Sequence, residues 1–205
     1  MPPSYYDSLI AYLHTPWAIA LTAGTASMLI ALAFAMHMRK TSDMRKINKI
    51  ISKYGLACEK NAVLSDDMDG FLFADYLLLL PSKIIIIKYV DNTGYIFGTE
   101  KIDIWTCVEN NKTGKFKNPL DKINLLAQQI KRTTQFDAVE AYALFGSNCN
   151  FPKGMPEAVL QIASLDERLQ KDSQDKHQEN TLKAWDILIS MVSNDRATLS
   201  SDLQP

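Results

Sequence analysis

Ala74-Asp-Tyr-Leu-Leu-Leu-Leu80 and Lys83-Ile-Ile-Ile-Ile-Lys-Tyr-Val90, joined by Pro81-Ser82, carry the strongest β signal in the chain. Two apolar runs of strand length around turn residues read as a hairpin. The second run is β-branched, which favours strand over helix. Neither run alternates polar with apolar residues, so both faces of the hairpin should be covered by other structure. A two-residue turn at Pro81-Ser82 places Leu79 opposite Ile84, Leu77 opposite Ile86 and Asp75 opposite Lys88. Strand side chains alternate, so Asp75, Ile86 and Lys88 share one face.

Upstream, residues 56–74 read as loop-rich, with Ser65-Asp66-Asp67 and Asp69-Gly70 as turn signals. Residues 39–55 read as a basic amphipathic helix with Met44, Ile47, Ile50, Ile51 and Tyr54 on its apolar stripe and Gly55 as its stop. Its lysines also suit contact with anionic headgroups. Downstream, Asp91–Gly94 is a turn and Tyr95–Phe97 a strand. Ile102–Val108 and Lys115–Lys117 flank a polar Asn110–Gly114 loop as a second hairpin. Asn118-Pro119 opens a helix in which Leu120, Ile123, Leu126, Ala127 and Ile130 recur at helical spacing up to Arg132. Val139–Phe145 is a further strand and Val159–Ala163 a short last one. Ser164 is expected to cap a helix to about Lys171, with Glu167 completing a capping box. Thr181–Val192 is an amphipathic helix carrying Leu182, Trp185, Ile189 and Val192, and the polar residues after it read as loose. A central sheet with helices from both ends of the domain is an α/β pattern.

The first forty residues are of another kind. Pro16–Met38 contains no Asp, Glu, Lys or Arg. At 1.5 Å per residue it reaches roughly 34 Å, enough to cross a hydrocarbon core of about 30 Å. Arg39, Lys40, Arg45, Lys46, Lys49 and Lys53 follow it and no Lys or Arg precedes it. The one-sided positive flank orients a transmembrane helix with the N-terminus outside and residues 39–205 in the cytoplasm. A cleaved signal peptide would need a basic n-region, whereas residues 1–15 carry only Asp7. A buried core helix would rarely run so long without a charge. Ala23, Ser27, Ala31 and Ala35 form a small-residue row through which the span could form a homodimer.

The chain has 22 Lys and Arg against 23 Asp and Glu, and of these only Asp7 precedes Arg39. The rest of the chain therefore carries no net charge, which removes any whole-domain attraction to phosphate. Cys58, Cys107 and Cys149 are widely spaced, as are His14, His37 and His177. That pattern suits reduced thiols in a cytoplasmic domain and argues against a zinc site or a disulfide framework. Lys112, Lys115, Lys117, Lys122, Lys131 and Arg132 make a basic stretch broken only by Asp121. It reads as a solvated face or as a phosphate-contacting surface. Trp105, between Ile104 and Cys107, reads as a core residue rather than a base-stacking platform.

An aspartate on one strand followed by an (Asp/Glu)-x-Lys on the next is similar to the metal site of a phosphodiesterase. The order Val63-Leu64-Ser65-Asp66, Ala74-Asp75, Ile85-Ile86-Ile87-Lys88, Gly94-Tyr95-Ile96-Phe97-Gly98, Trp105 and Asn118-Pro119-Leu120 resembles the nuclease-related domain (NERD) family. That family is a branch of the PD-(D/E)xK nuclease superfamily. The resemblance covers about a third of the chain. It implies a restriction-endonuclease-like mixed β-sheet flanked by helices, here preceded by one transmembrane helix, with a remnant site at Asp75 and Lys88. It also implies nucleic-acid contact near Lys112, Lys115, Lys117 and Lys122.

Ile86 stands where the family has its catalytic glutamate, residues 44–55 lack the family's first-helix glutamate, and Asp121 sits near a common helix glutamine. Asp75 alone would hold Mg²⁺ weakly, so no cofactor is expected. The reading that follows is a membrane-anchored, non-catalytic domain that binds nucleic acid or a cytoplasmic protein. The alternative is an active Mg²⁺-dependent nuclease with a carboxylate relocated from Glu59, Asp69, Asp91 or Glu100. The expected organisation is an external segment at 1–15, a span at 16–38 and a basic helix and linker at 39–62. A NERD-like domain at 63–172 and a C-terminal helix and tail at 173–205 complete it.

Overall fold

The computed structural model describes residues 41–65, 70–176 and 178–202, with isolated positions between 27 and 38. The chain divides into two compact units, Met1–Met44 and Arg45–Pro205. The span expected over Pro16–Met38 lies almost wholly outside the described residues. The positions described there, Ser27, Met28, Ala31, Phe34 and Met38, are helical. No helix among the described residues is long and apolar enough to cross a membrane.

The second unit is α/β. Residues 41–54 are helical (α1). Strands β1 (Ala57–Ser65), β2 (Phe71–Leu79), β3 (Ile84–Val90), β7 (Val139–Phe145) and β9 (Val159–Gln161) form one sheet in the order β1-β2-β3-β7-β9. Its first two pairings are antiparallel, and β3·β7 and β7·β9 are parallel. A second sheet, ordered β6-β5-β4-β8, contains β4 (Gly94–Phe97), β5 (Ile104–Glu109), β6 (Lys112–Lys117) and β8 (Cys149–Asn150). Helices α2 (Pro119–Thr134), α3 (Ile162–Ser173) and α4 (Glu179–Asp202) complete the chain.

The hairpin follows its sequence register: Leu79 pairs with Ile84, Leu77 with Ile86 and Tyr76 with Ile87. Ile84, Ile85, Ile86 and Ile87 are all 0% exposed, because helices cover both faces. On one face Leu77, Leu79, Ile84 and Ile86 meet Leu126 and Ile130 of α2 and Trp185, Leu188 and Val192 of α4. Each such fully buried aliphatic side chain contributes roughly 1.5–3 kcal/mol. On the other face α1 presents buried Ile47 and Ile51, and α3 presents buried Leu165 and Leu169. Gly55 ends α1 against Leu78, and a Cβ there would collide with that leucine.

A polar clamp ties α3 to the edge of the same face. Lys83 Nζ donates to Glu140 (2.9 Å) and Asp172 (3.2 Å), and Arg168 donates to Glu140 (2.9 Å) and Asp172 (3.1 Å). Tyr142 Oη donates to Glu140 at 2.8 Å. Burial alone would lower the Lys83 pKa, but its carboxylate partners outweigh that and hold it above the ordinary value. Burial would raise Glu140, and the Lys83 and Tyr142 hydrogen bonds, with Arg168, pull it below the usual glutamate range instead. Burial first, then the Glu140 charge, pushes the Tyr142 hydroxyl far up.

Several expectations are corrected. Residues 57–65 form β1 and β2 begins at Phe71, where a loop was expected over 56–74. Ala57-Cys-Glu-Lys-Asn-Ala-Val-Leu-Ser65 has one β-branched residue, and Asn61 sits at φ 51°, so neither propensity nor alternation marks it as a strand. The residues expected as a linker before 63 thus supply six of the nine residues of a sheet strand. Tyr95–Phe97 belongs to a separate second sheet, not to the central one. The expected five-residue loop at 110–114 is a two-residue turn, with Asn110 and Asn111 at φ 49° and 60°. Both residues in the left-handed region match the twist of a tight hairpin, and asparagine tolerates it. Helix α3 opens at Ile162 behind Gln161, so Ser164 lies inside the first turn and the Ser164–Glu167 capping box does not form. Helix α4 runs on to Asp202, past the expected end at Val192.

Candidate functional site

The β2·β3 ladder stops at Tyr76 and Ile87. Beyond it the Asp75 carboxylate takes over the pairing: Tyr89 N–H donates to it at 2.7 Å and Lys88 Nζ at 3.3 Å. On the other side, Lys60 pairs with Tyr76 and Ala62 with Ala74, while left-handed Asn61 interrupts the ladder opposite Asp75. Side chains of β2 reach the cluster beneath α2 and α4 from Leu72 and Ala74, then from Leu77 and Leu79. That step of three marks the point where the strand pattern shifts at Asp75. Asp75 and Lys88 are 29% and 37% exposed, so their ion pair is worth at most about 1 kcal/mol. The backbone hydrogen bond to a charged carboxylate is the firmer contact. Burial, then the Asp75 charge, raises the neighbouring Tyr76 hydroxyl.

Ile86 lies on the face expected, fully buried among Leu77, Leu79 and Ile84 beneath α2. Glu59 stands on β1 opposite Leu77, with β2 between it and Ile86. Glu100 lies in the β4–β5 connection, where its carbonyl accepts from Asn118 Nδ2 (3.3 Å). Asp69 lies outside the described residues. Among the described residues, no group of three or more His, Cys, Asp or Glu is placed to hold a metal ion. Mg²⁺ needs several oxygen ligands, and the contacts of the Asp75 carboxylate are two N–H donors, the Lys88 ammonium and the Tyr89 amide.

Lys88 opens into a groove of about 650 Å³ at the start of α2. Its walls include Phe73, Phe116, Lys117, Asp121 and Lys122, and Asp91 and Asn92 at the end of β3. Asn118 caps α2, its Oδ1 accepting from Leu120 N–H at 3.0 Å, and Pro119 occupies the first turn. The groove therefore combines Lys117, Lys122 and the Asp75-paired Lys88 with the positive end of a helix dipole, which attracts an anion. Asp91 and Asp121 moderate that charge.

Of the lysines expected to touch nucleic acid, Lys117 and Lys122 reach this groove. Lys112 and Lys115 do not: Lys112 pairs with Glu109 beside the hairpin turn, and Lys115 stands on the sheet opposite Thr106. Phe73, Phe116 and Asn92 were not expected in the site, whereas Asp91, one of the four carboxylates considered for a relocated site, lies on the groove wall. A strand end and a hairpin end that meet only through the fold leave no local sequence signal. Trp105 is buried, stacked on Phe145 at 6.2 Å and edge-on to Phe116 at 6.0 Å. The three cysteines are thiols rather than disulfides, and burial pushes the Cys58 thiol up. No protein-family model, no curated protein and no solved structure matches this chain.

Proposed function

We propose that this protein is a membrane-tethered, NERD-like domain that no longer cleaves and that binds nucleic acid at the groove beside α2, on the cytoplasmic face. One observation carries the reading: Ile86 is sealed in the core where the resemblance calls for a second carboxylate, and Asp75 is already engaged by Tyr89 and Lys88. A mixed sheet flanked by helices agrees with the architecture the resemblance implies. The lysines of the groove supply phosphate attraction that the neutral domain as a whole lacks.

The full chain in nanodiscs should leave plasmid and single-stranded substrates uncut, with Mg²⁺ or Mn²⁺ or with EDTA. It should bind them at low salt, and Lys122→Gln with Lys88→Gln should weaken that binding. Divalent-dependent cutting lost in Asp75→Ala would establish the alternative, an active nuclease with a relocated carboxylate, for which Asp91 of the groove wall is the candidate that shares the groove with Lys88. Absence of binding at low salt would turn the reading to a protein partner.

A further inference from the structure

The second sheet has two unlike faces. Ile96, Trp105, Cys107 and Phe116 turn inward onto Phe145 and α2. Alternation sends Tyr95 and Phe97 of β4 to the opposite side, where Tyr95 is 54% exposed. Phe97, Thr106 and Lys115 form a row across three strands, and Tyr95 pairs with Val108 in the next row. Ile104 and Lys117 make the row nearest the α2 groove, and Lys117 also lines that groove. Lys153 Nζ lies 5.9 Å from the Phe97 ring centroid. Among the described residues, no strand position on this outer face is an Asp or Glu.

We propose that this face is a stacking platform for single-stranded nucleic acid, which runs from Tyr95 and Phe97 past Lys117 into the groove. The proposal rests on the nucleic-acid reading of that groove. Two rings two residues apart on one strand stand roughly 7 Å from each other, suited to adjacent unstacked bases. Every base has a π-face, so aromatic stacking holds a single strand without reading its sequence. A duplex keeps its base faces covered and gains only the lysine contacts. Charge complementarity selects this occupant over an apolar protein surface: among the described residues, Lys115, Lys117 and Lys153 meet no carboxylate on the strands of this face. Lys153 is exposed, so it can exchange the Phe97 ring for a phosphate.

The test is fluorescence anisotropy of the full chain in nanodiscs with short labelled oligothymidylate and a blunt duplex of equal length. The single strand should bind more tightly. Tyr95→Ala combined with Phe97→Ala should weaken it about tenfold or more, with the melting temperature little changed. Lys115→Gln should reduce the slope of log K against log salt by roughly 0.7. Tyr95→Trp should retain affinity and add an indole emission that binding quenches, a signature of stacking that a structural role would not produce. Equal binding by the double alanine variant, with loss in Lys122→Gln, would overturn the platform and leave the groove reading standing. Tighter duplex binding, or variants that change only the oligomeric state, would also overturn it. No binding of any strand by the wild type would remove both readings.

Discussion

Asp75 is committed to its own backbone before any ligand arrives. Its carboxylate replaces the β-ladder bond missing between β2 and β3, so Asp75→Ala should cost stability even if no chemistry occurs there. A loss of about 1–3 kcal/mol is expected from the orphaned Tyr89 N–H, measured by thermal or urea unfolding. Asp75→Asn, which keeps an acceptor, should cost less. Ile86→Glu tests the same place from the other side. An acid there would sit among Leu77, Ile84 and Leu126 at a fully buried position. An unpaired charge in that setting costs several kcal/mol, so the variant should melt well below the wild type. If Lys88 or a divalent ion can compensate, Mn²⁺ should raise the variant's melting temperature and leave the wild type unmoved. At this scale the sequence was legible as far as the ladder runs: the hairpin register paired Leu77 with Ile86 and Leu79 with Ile84, whereas the expected Asp75–Lys88 ladder pair is replaced by a side-chain contact. It was silent on Asn61 and the Tyr89 amide, because a left-handed residue inside a strand and a broken ladder are set by the neighbouring chain.

Among the elements, α3 is held to the central sheet by charge as well as by Leu165 and Leu169. Asp172 is the most enclosed carboxylate of the clamp, its side chain 6% exposed, and it faces both Lys83 and Arg168. Asp172→Ala should destabilise by about 2–4 kcal/mol, because two cations lose a shared buried partner. The pH dependence follows from Glu140. Its folded pKa lies below its unfolded value, so its stabilisation is complete above about pH 4.3 and fades as pH falls through the folded pKa. Lys83 works in the opposite sense: its raised pKa keeps its contribution below about pH 10.4, and it fades as pH rises through the folded value. Melting curves of wild type and Glu140→Gln should therefore stand apart at neutral pH and converge below pH 4. Parallel curves across that range would show that the clamp does not titrate as described. Long periodic elements such as α2 and β7 were readable from sequence, whereas β1 and β8 were not. Both strands are short of β-branched residues; β8 owes its pairing to distant β4, and β1, though it pairs with the next strand, is broken by left-handed Asn61.

For the whole molecule, the composition of residues 1–40 and of the α/β unit pulls in different directions. The α/β unit needs no membrane to bury its core, since helices already cover both faces of the central sheet. The Pro16–Met38 stretch carries no Asp, Glu, Lys or Arg, and its length matches a bilayer. Tethering would also compensate for a neutral domain's weak long-range attraction to nucleic acid, by keeping the domain at one surface. In the proposed span the orientation would be set by where lysines and arginines can remain. Six of them lie between Arg39 and Lys53 and none lies before Pro16, so the energetic asymmetry favours keeping residues 39–205 inside. A reporter active only outside the cytoplasmic membrane should be silent when fused after Pro205. Moving the charge should move the topology: replacing Arg39, Lys40, Arg45 and Lys46 with glutamine while placing lysines at Ser4 and Ser8 should raise that reporter's activity. Strong activity from the unmodified fusion would reverse the orientation. It would also place the α2 groove on the side of the membrane away from cytoplasmic nucleic acid, and the function proposed for the groove would fall with it.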